Sequence, residues 1–195
     1  MTLRELDAAN DYRTDKLGRC PLNPHDYADA IEFHLGPWRD RAFVLWEVGV
    51  DRGDSLRLWS DYLPLATVVG IDLREPTTPG YRLPPRCHFR RGSATDPVFV
   101  EALAAEFPPD FVIDDGSHRA SDLHRTFELV WPHTRAVYCA EDLHTQYPDC
   151  PWGTDFLDRD PFTDRLKALG DRLARLESGG PRRVCWEPGQ VYLYK

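Results

Sequence analysis

Ala42-Phe43-Val44-Leu45-Trp46-Glu47-Val48-Gly49-Val50-Asp51-Arg52-Gly53 decides the fold. Residues 42–48 are an apolar run broken only by Glu47, and two glycines follow. A run that is apolar on both faces suits a parallel strand covered by helices on both sides. Three more such runs occur at 67–72 (TVVGID), 111–115 (FVIDD) and 136–142 (AVYCAED). Each ends in acids or glycine, so function is expected at the carboxyl edge of the sheet. Helical signals fall between and after the runs. Asp96-Pro97 opens a helix over 97–107, with Phe99, Leu103 and Phe107 in phase. Ser121 predicts the cap of a helix carrying Leu123, Phe127 and Val130. Asp160-Pro161 opens another, with Phe162, Leu166, Leu169, Leu173 and Leu176 along one face. Strand-like pieces at 182–187 and 190–194, joined at Glu187-Pro188-Gly189, predict an antiparallel hairpin. The sum is a doubly wound α/β domain of about seven strands. Residues 1–40 predict a helical cap, including a helix over 27–35, on a catalytic domain spanning 41–195, the whole forming one structural unit.

Charge and composition narrow the function. Against 24 basic side chains stand 32 acidic ones, a net charge of −8 over 195 residues. An acidic chain repels phosphate backbones, which argues against a nucleic-acid partner. Aromatic residues make up 12 %, too many for a disordered chain. No apolar run reaches the roughly 18 residues of a membrane span, and the charged N-terminus has no signal-peptide core, so a cytoplasmic protein is expected. The five cysteines, Cys20, Cys87, Cys139, Cys150 and Cys185, form no Cys-x-x-Cys pair and are expected as free thiols. Pro76, Pro79, Pro84 and Pro85 predict an ordered surface loop after the second run. Residues 143–160 predict a long loop at the functional edge, where Trp152 would meet substrate.

Two constellations carry chemistry. In the first, Glu47-x-Gly49-x-x-x-Gly53 lies between a strand and a helix, where glycines let backbone amides approach a ligand. Asp72 ends the second strand, where a carboxylate can accept both hydrogen bonds of a ribose diol. Together they point to a cofactor containing a nucleoside; a plain turn and a capping acid are the alternatives. The second constellation is Asp114, Asp115 and His118 after one strand, and Glu141 and Asp142 after the next. Neighbouring strands lie roughly 5 Å apart, so these acids would share one cleft. Crowded carboxylates raise one another's pKa or recruit a cation, and all-oxygen ligands suit magnesium or calcium. His118 would stand beside such an ion as a base. The alternative is that Asp114 and Glu141 cap backbone groups and His118 starts a helix. Of the other histidines, His25 is expected at the surface, His34 near a helix end, His124 and His133 in solvent, and His144 in a structural role, with lining of the cleft as the alternative. Trp38, Trp46, Trp59 and Trp131 are expected in the core.

The order Thr14-Asp15-Lys16, His25-x-Tyr27, Glu47-x-Gly49-Val50, Gly70-Ile71-Asp72, Ile113-Asp114-Asp115-Gly116-Ser117-His118 and Glu141-Asp142-Leu143-His144-Thr145-Gln146-Tyr147 resembles class I S-adenosylmethionine-dependent methyltransferases. Among these it is similar to the metal-dependent macrolide and polyketide sugar O-methyltransferases of the mycinamicin type, and to cephalosporin-hydroxylase-like proteins. The resemblance implies a Rossmann-like methyltransferase fold, S-adenosyl-L-methionine and Mg2+ as cofactors, and a small-molecule glycoside or polyhydroxylated natural product as partner, as in antibiotic biosynthesis. It places the cofactor on Glu47, Gly49, Gly53, Asp72, Ser93, Ala94 and Asp114. Metal ligation goes to Asp115, Glu141 and Asp142, and His118 becomes the general base. Arg91-Gly92-Ser93 departs from the family's usual Gly-Asp, and the macrolide enzymes' N-terminal domain has no counterpart in these residues. A nicotinamide-dependent oxidoreductase is the alternative enzyme, against which stand the missing glycine of Gly-x-Gly-x-x-Gly and the lack of Tyr-x-x-x-Lys. A non-catalytic cofactor-binding subunit would have no need of His118 and two acidic pairs. No membrane partner is expected, and a homo-oligomer stays open.

Overall fold

The computed structural model describes residues 1–10, 12–18, 25–78, 80–151 and 154–195. Cys20, Pro79 and Trp152 lie outside them. Helices α1 (Leu3–Asn10) and α2 (Ala28–Leu35) precede β1 (Val44–Val48) and α3 (Asp54–Tyr62). Then come β2 (Thr67–Asp72), β3 (Cys87–Arg91), α4 (Pro97–Glu106), β4 (Phe111–Asp114), α5 (Ala120–Val130) and β5 (Val137–Ala140). Helix α6 (Phe162–Ala174) and the hairpin of β6 (Arg183–Glu187) and β7 (Gln190–Tyr194) close the chain. The seven strands line up as β3-β2-β1-β4-β5-β7-β6. Strands β1 to β5 are parallel, and β7 runs antiparallel to both β5 and β6.

Alternation along the strands divides the core into two layers. Leu45, Val68, Phe111, Ile113 and Cys139 pack with Leu56 and Trp59 of α3 and with Leu3, Leu6, Ile31 and Leu35 of the N-terminal helices. Trp46, Val69, Val112, Tyr138 and Ala140 face the other way, onto Val100, Leu103, Leu123, Phe127, Phe162 and Leu166. The sheet is therefore buried on both faces, which is why its central strands read as unbroken apolar runs. Chain order reverses between β1 and β4, and the carboxyl ends of these strands open the crevice that holds the site.

Several local expectations change. Strand β3 follows the proline-rich stretch as an edge strand, and its Arg90 and Arg91 hide it from an apolar pattern while protecting the edge. The cap of α5 is Arg119, not Ser121; Ser121 instead donates through its amide and hydroxyl to Asp158. Leu176 lies beyond α6 and is 91 % exposed, so the apolar face ends sooner than its spacing predicts. His124 is buried rather than solvated, edge-on to Phe162 with Nε2 against the Asp160 carbonyl. Trp46 and Trp59 are core, whereas Trp38 and Trp131 are only partly buried. Cys87, Cys139, Cys150 and Cys185 are free thiols. Among the described residues no helix is long and apolar enough to cross a membrane.

Candidate active site

The glycine loop is shaped by left-handed backbone and close contacts. Gly49 has φ of +87°, and a Cβ there would lie 1.9 Å from the Asp115 carbonyl oxygen. Gly53, at φ +86°, begins α3, and a Cβ there would lie 2.4 Å from the Tyr81 ring. Asp72 ties this loop to the end of β2. Its Oδ2 accepts from the amides of Val50 (2.9 Å) and Asp51 (3.1 Å), and Oδ1 from Arg74 (3.0 Å). Burial pushes its pKa up, but the backbone donors outweigh burial and hold it below the ordinary range.

A cavity of about 500 Å³ lies over the carboxyl ends of β1, β2 and β4. Gly49, Asp72, Ser93, Ala94, Asp114, Asp115 and His118 line it, and the N-terminal segment supplies Lys16. Two expected cofactor residues stand differently. Gly53 acts at the turn just described. Glu47 is fully buried behind the loop, where Ser55 Oγ and Trp59 Nε1 each donate to it at 2.8 Å. Burial pushes its pKa up to about 7 against the pull of Lys16. Asp114 forms the floor, accepting from the Tyr138 hydroxyl, and burial pushes it up to about 6.

Register assembles the acids. Asp114 of β4 pairs with Ala140 of β5, so Asp115 and Glu141 are the next residues on adjacent strands. Asp142 follows with φ of +55°, and His118 has φ of +58°. Non-glycine residues held in this region cost on the order of 1–3 kcal/mol and concentrate at functional sites. His118 Nε2 lies 3.8 Å from Asp115 Oδ1 and 3.6 Å from Asp142 Oδ2. These contacts are too long for hydrogen bonds, so Nε2 faces both carboxylates without being bonded to either. His118 Nδ1 is buried without a hydrogen-bond partner among the described residues.

Lys16 is the residue that sequence reasoning missed. Tyr27 N donates to its carbonyl, and a bridge between Leu17 and Asp26 turns its side chain inward. Its ammonium meets Glu141 Oε2, lies 2.5 Å from Asp115 Oδ2, and stands 4.0 Å from Glu47. Gln190 takes the other oxygen of Glu141 at 2.7 Å. Burial pushes Glu141 up to about 8, while the three acids hold Lys16 well above its ordinary range despite burial. For Asp142, burial acts upward, but His118, the Tyr27 hydroxyl (2.6 Å from Oδ1) and His25 outweigh it and hold it low. One ammonium faces three acids, with Asp142 beside them, and burial holds Glu47 and Glu141 toward their neutral forms. His25, expected at the surface, instead stacks on Tyr27 and approaches Asp142.

The fold is matched by MycE methyltransferase from the mycinamycin biosynthetic pathway in complex with Mg, SAH and mycinamycin VI. It superimposes with a TM-score of 0.82 at 24 % identity, over all of this chain and 53 % of that one. The chain has the class I methyltransferase fold. Its curated relatives are sugar O-methyltransferases. An 8-demethyl-8-alpha-L-rhamnosyl tetracenomycin-C 2'-O-methyltransferase of Streptomyces olivaceus is 35 % identical over 163 residues, 78 % of this chain and 42 % of that protein. An L-olivosyl-oleandolide 3-O-methyltransferase of Streptomyces antibioticus is 31 % identical over 166 residues, 75 % of this chain and 41 % of that protein. The chain thus spans about two fifths of the length of these relatives. No family model matches it.

Proposed function

We propose that this methyltransferase-fold chain transfers a methyl group from S-adenosylmethionine to a hydroxyl of a glycosylated or polyhydroxylated small natural product, with magnesium in the acidic cleft. The convergence of Asp115 and His118, which line the cavity, with Asp142 behind them supports this reading most directly. The cavity's volume suits a nucleoside-sized cofactor, and the carboxylate oxygens of Asp115 and Asp142 suit a divalent cation. Gly49, Asp72, Ser93, Ala94 and Asp114 would hold the cofactor, with Glu47 and Gly53 shaping the loop beneath it. Asp115 and Asp142 would hold the metal. Glu141, with both oxygens engaged by Lys16 and Gln190, would stand behind them as a charge reserve. When bound, the two cofactors supply an activated methyl group and a Lewis acid that makes a sugar hydroxyl more acidic. Asp115 and Asp142 fix where that hydroxyl sits relative to His118. His118 Nε2, facing both acids, takes the hydroxyl proton. The wall of Val48, Gly49 and Asp114 holds the other reactant in place, so the step gains from positioning.

Calorimetry with S-adenosylhomocysteine and with NAD tests the cofactor: binding of the first alone is expected, and binding of NAD alone would return the oxidoreductase reading. The metal role has its own test. Asp115→Asn is expected to weaken Mg2+ binding by roughly 10–100-fold, the scale of effects at metal-site residues. S-adenosylhomocysteine affinity should stay nearly unchanged. Equal loss of both would contradict the division of roles.

A further inference from the structure

Asp142 has a second set of neighbours on the side away from His118. His25 Nε2 lies 3.6 Å from Asp142 Oδ1, and the His25 and His144 ring centroids are 4.6 Å apart. One ligand atom from each of His25, Asp142 and His144 falls within 4.8 Å of the others. Tyr27 donates to the same Oδ1 at 2.6 Å, which orients the carboxylate as a supporting hydrogen bond orients a metal ligand. The turn holds this geometry: Thr145 returns its amide (3.0 Å) and its hydroxyl (2.8 Å) to the Asp142 carbonyl. Asp142 is buried, while the two imidazoles are partly exposed.

We propose that His25, Asp142 and His144 form a second metal position, for a divalent transition ion such as Zn2+, Co2+ or Ni2+, sharing Asp142 with the candidate magnesium position. The donor sets sort the ions. Two imidazoles and a carboxylate favour transition metals, whereas the oxygens of Asp115 and Asp142 favour magnesium. Three protein ligands leave coordination positions open, the pattern of a site that also takes water or a substrate oxygen. Of the three ligands, His144 also lines a cleft of about 340 Å³ with Tyr147, Trp186 and Gln190, the side from which an ion would enter. The two oxygens of Asp142 point to different partners, Oδ1 to His25 and Tyr27 and Oδ2 to His118, so one carboxylate can serve both positions. This site does not depend on the methyl-transfer reading.

The test uses the full chain without a histidine tag, stripped of metal and titrated with Co2+, with bound metal counted after gel filtration. The wild type is expected to keep one equivalent of Co2+ in excess Mg2+, with the visible absorption of nitrogen-ligated cobalt. His25→Ala and His144→Ala should each lose that equivalent while still binding Mg2+. Asp115→Asn should retain it, which separates this site from the candidate magnesium position. On the wild type alone, Zn2+ should shift the ring-nitrogen resonances of two histidines, a readout that needs no variant to fold. Unchanged Co2+ stoichiometry in both histidine variants, or complete displacement of cobalt by Mg2+, would overturn the proposal.

Discussion

Lys16→Met is expected to destabilise the chain by about 3–5 kcal/mol, the scale for removing one partner of a buried ion pair. For a chain of this length, that lowers the melting temperature by on the order of 10 °C. The lysine side chain is 2 % exposed, and its ammonium is the counter-charge shared by Asp115, Glu141 and Glu47. Methionine fills a similar volume, so the loss reports charge rather than a cavity. The pH dependence has a definite sign. Glu141 has its folded pKa raised, to about 8, so its contribution is present below the unfolded value and is lost as pH rises through about 8. Without the ammonium that pKa rises further, and the variant's deficit should shrink in acid, where the carboxylates are neutral in both proteins. Added Mg2+ should restore part of the stability, because an ion that binds only the folded cluster stabilises it by mass action. Thermal melts of both proteins across pH, with and without Mg2+, measure all three effects. Equal melting temperatures at pH 8 would show that Lys16 is not the cluster's counter-ion.

Lys16 also shows where sequence reading stops. Strands β1, β2, β4 and β5 were legible because a parallel strand buried on both faces needs apolar residues at every position. The acids after β4 and β5 were legible because register in such a sheet is nearly forced: Asp114 beside Ala140 puts Asp115 beside Glu141. Lys16 and His25 approach the same acids from a segment with no apolar period, so hydrophobic patterning does not distinguish them from solvated residues. Their signal was indirect. Four carboxylates expected around one cleft call for positive charge, and Lys16 is one of three lysines in the chain and sits in a motif. Glu47 illustrates the converse error. An acid at the end of β1 reads as a ligand-facing group, but Ser55 and Trp59 of α3 draw it into the core. The edge strand β3 escaped because an exposed edge selects for charge, the opposite of the rule that exposes its neighbours.

His118→Ala is expected to lower turnover by roughly 10²–10⁴-fold, the usual contribution of a positioned acid or base. Binding of S-adenosylhomocysteine and Mg2+ should remain near wild type, because Asp72 and the glycine loop do not touch the ring and Asp115 keeps Lys16. The variant should also fold. The side chain is 21 % exposed and anchors no core cluster, and the His118 carbonyl that accepts from Gln146 Nε2 (2.8 Å) survives the substitution. Because the backbone there is left-handed, at φ +58°, a change of residue can also move Gly116 and Ser117. His118→Asn resolves this. Asparagine tolerates that conformation better than alanine, yet it cannot take a proton at neutral pH. If the imidazole is the base, both variants lose activity to a similar degree. If the residue serves only the turn, His118→Asn retains activity and His118→Ala does not. Single-turnover rates with a sugar-bearing acceptor, measured at saturating Mg2+, distinguish the two outcomes. An active His118→Ala protein would remove the ring from the reaction and leave the acids to carry it.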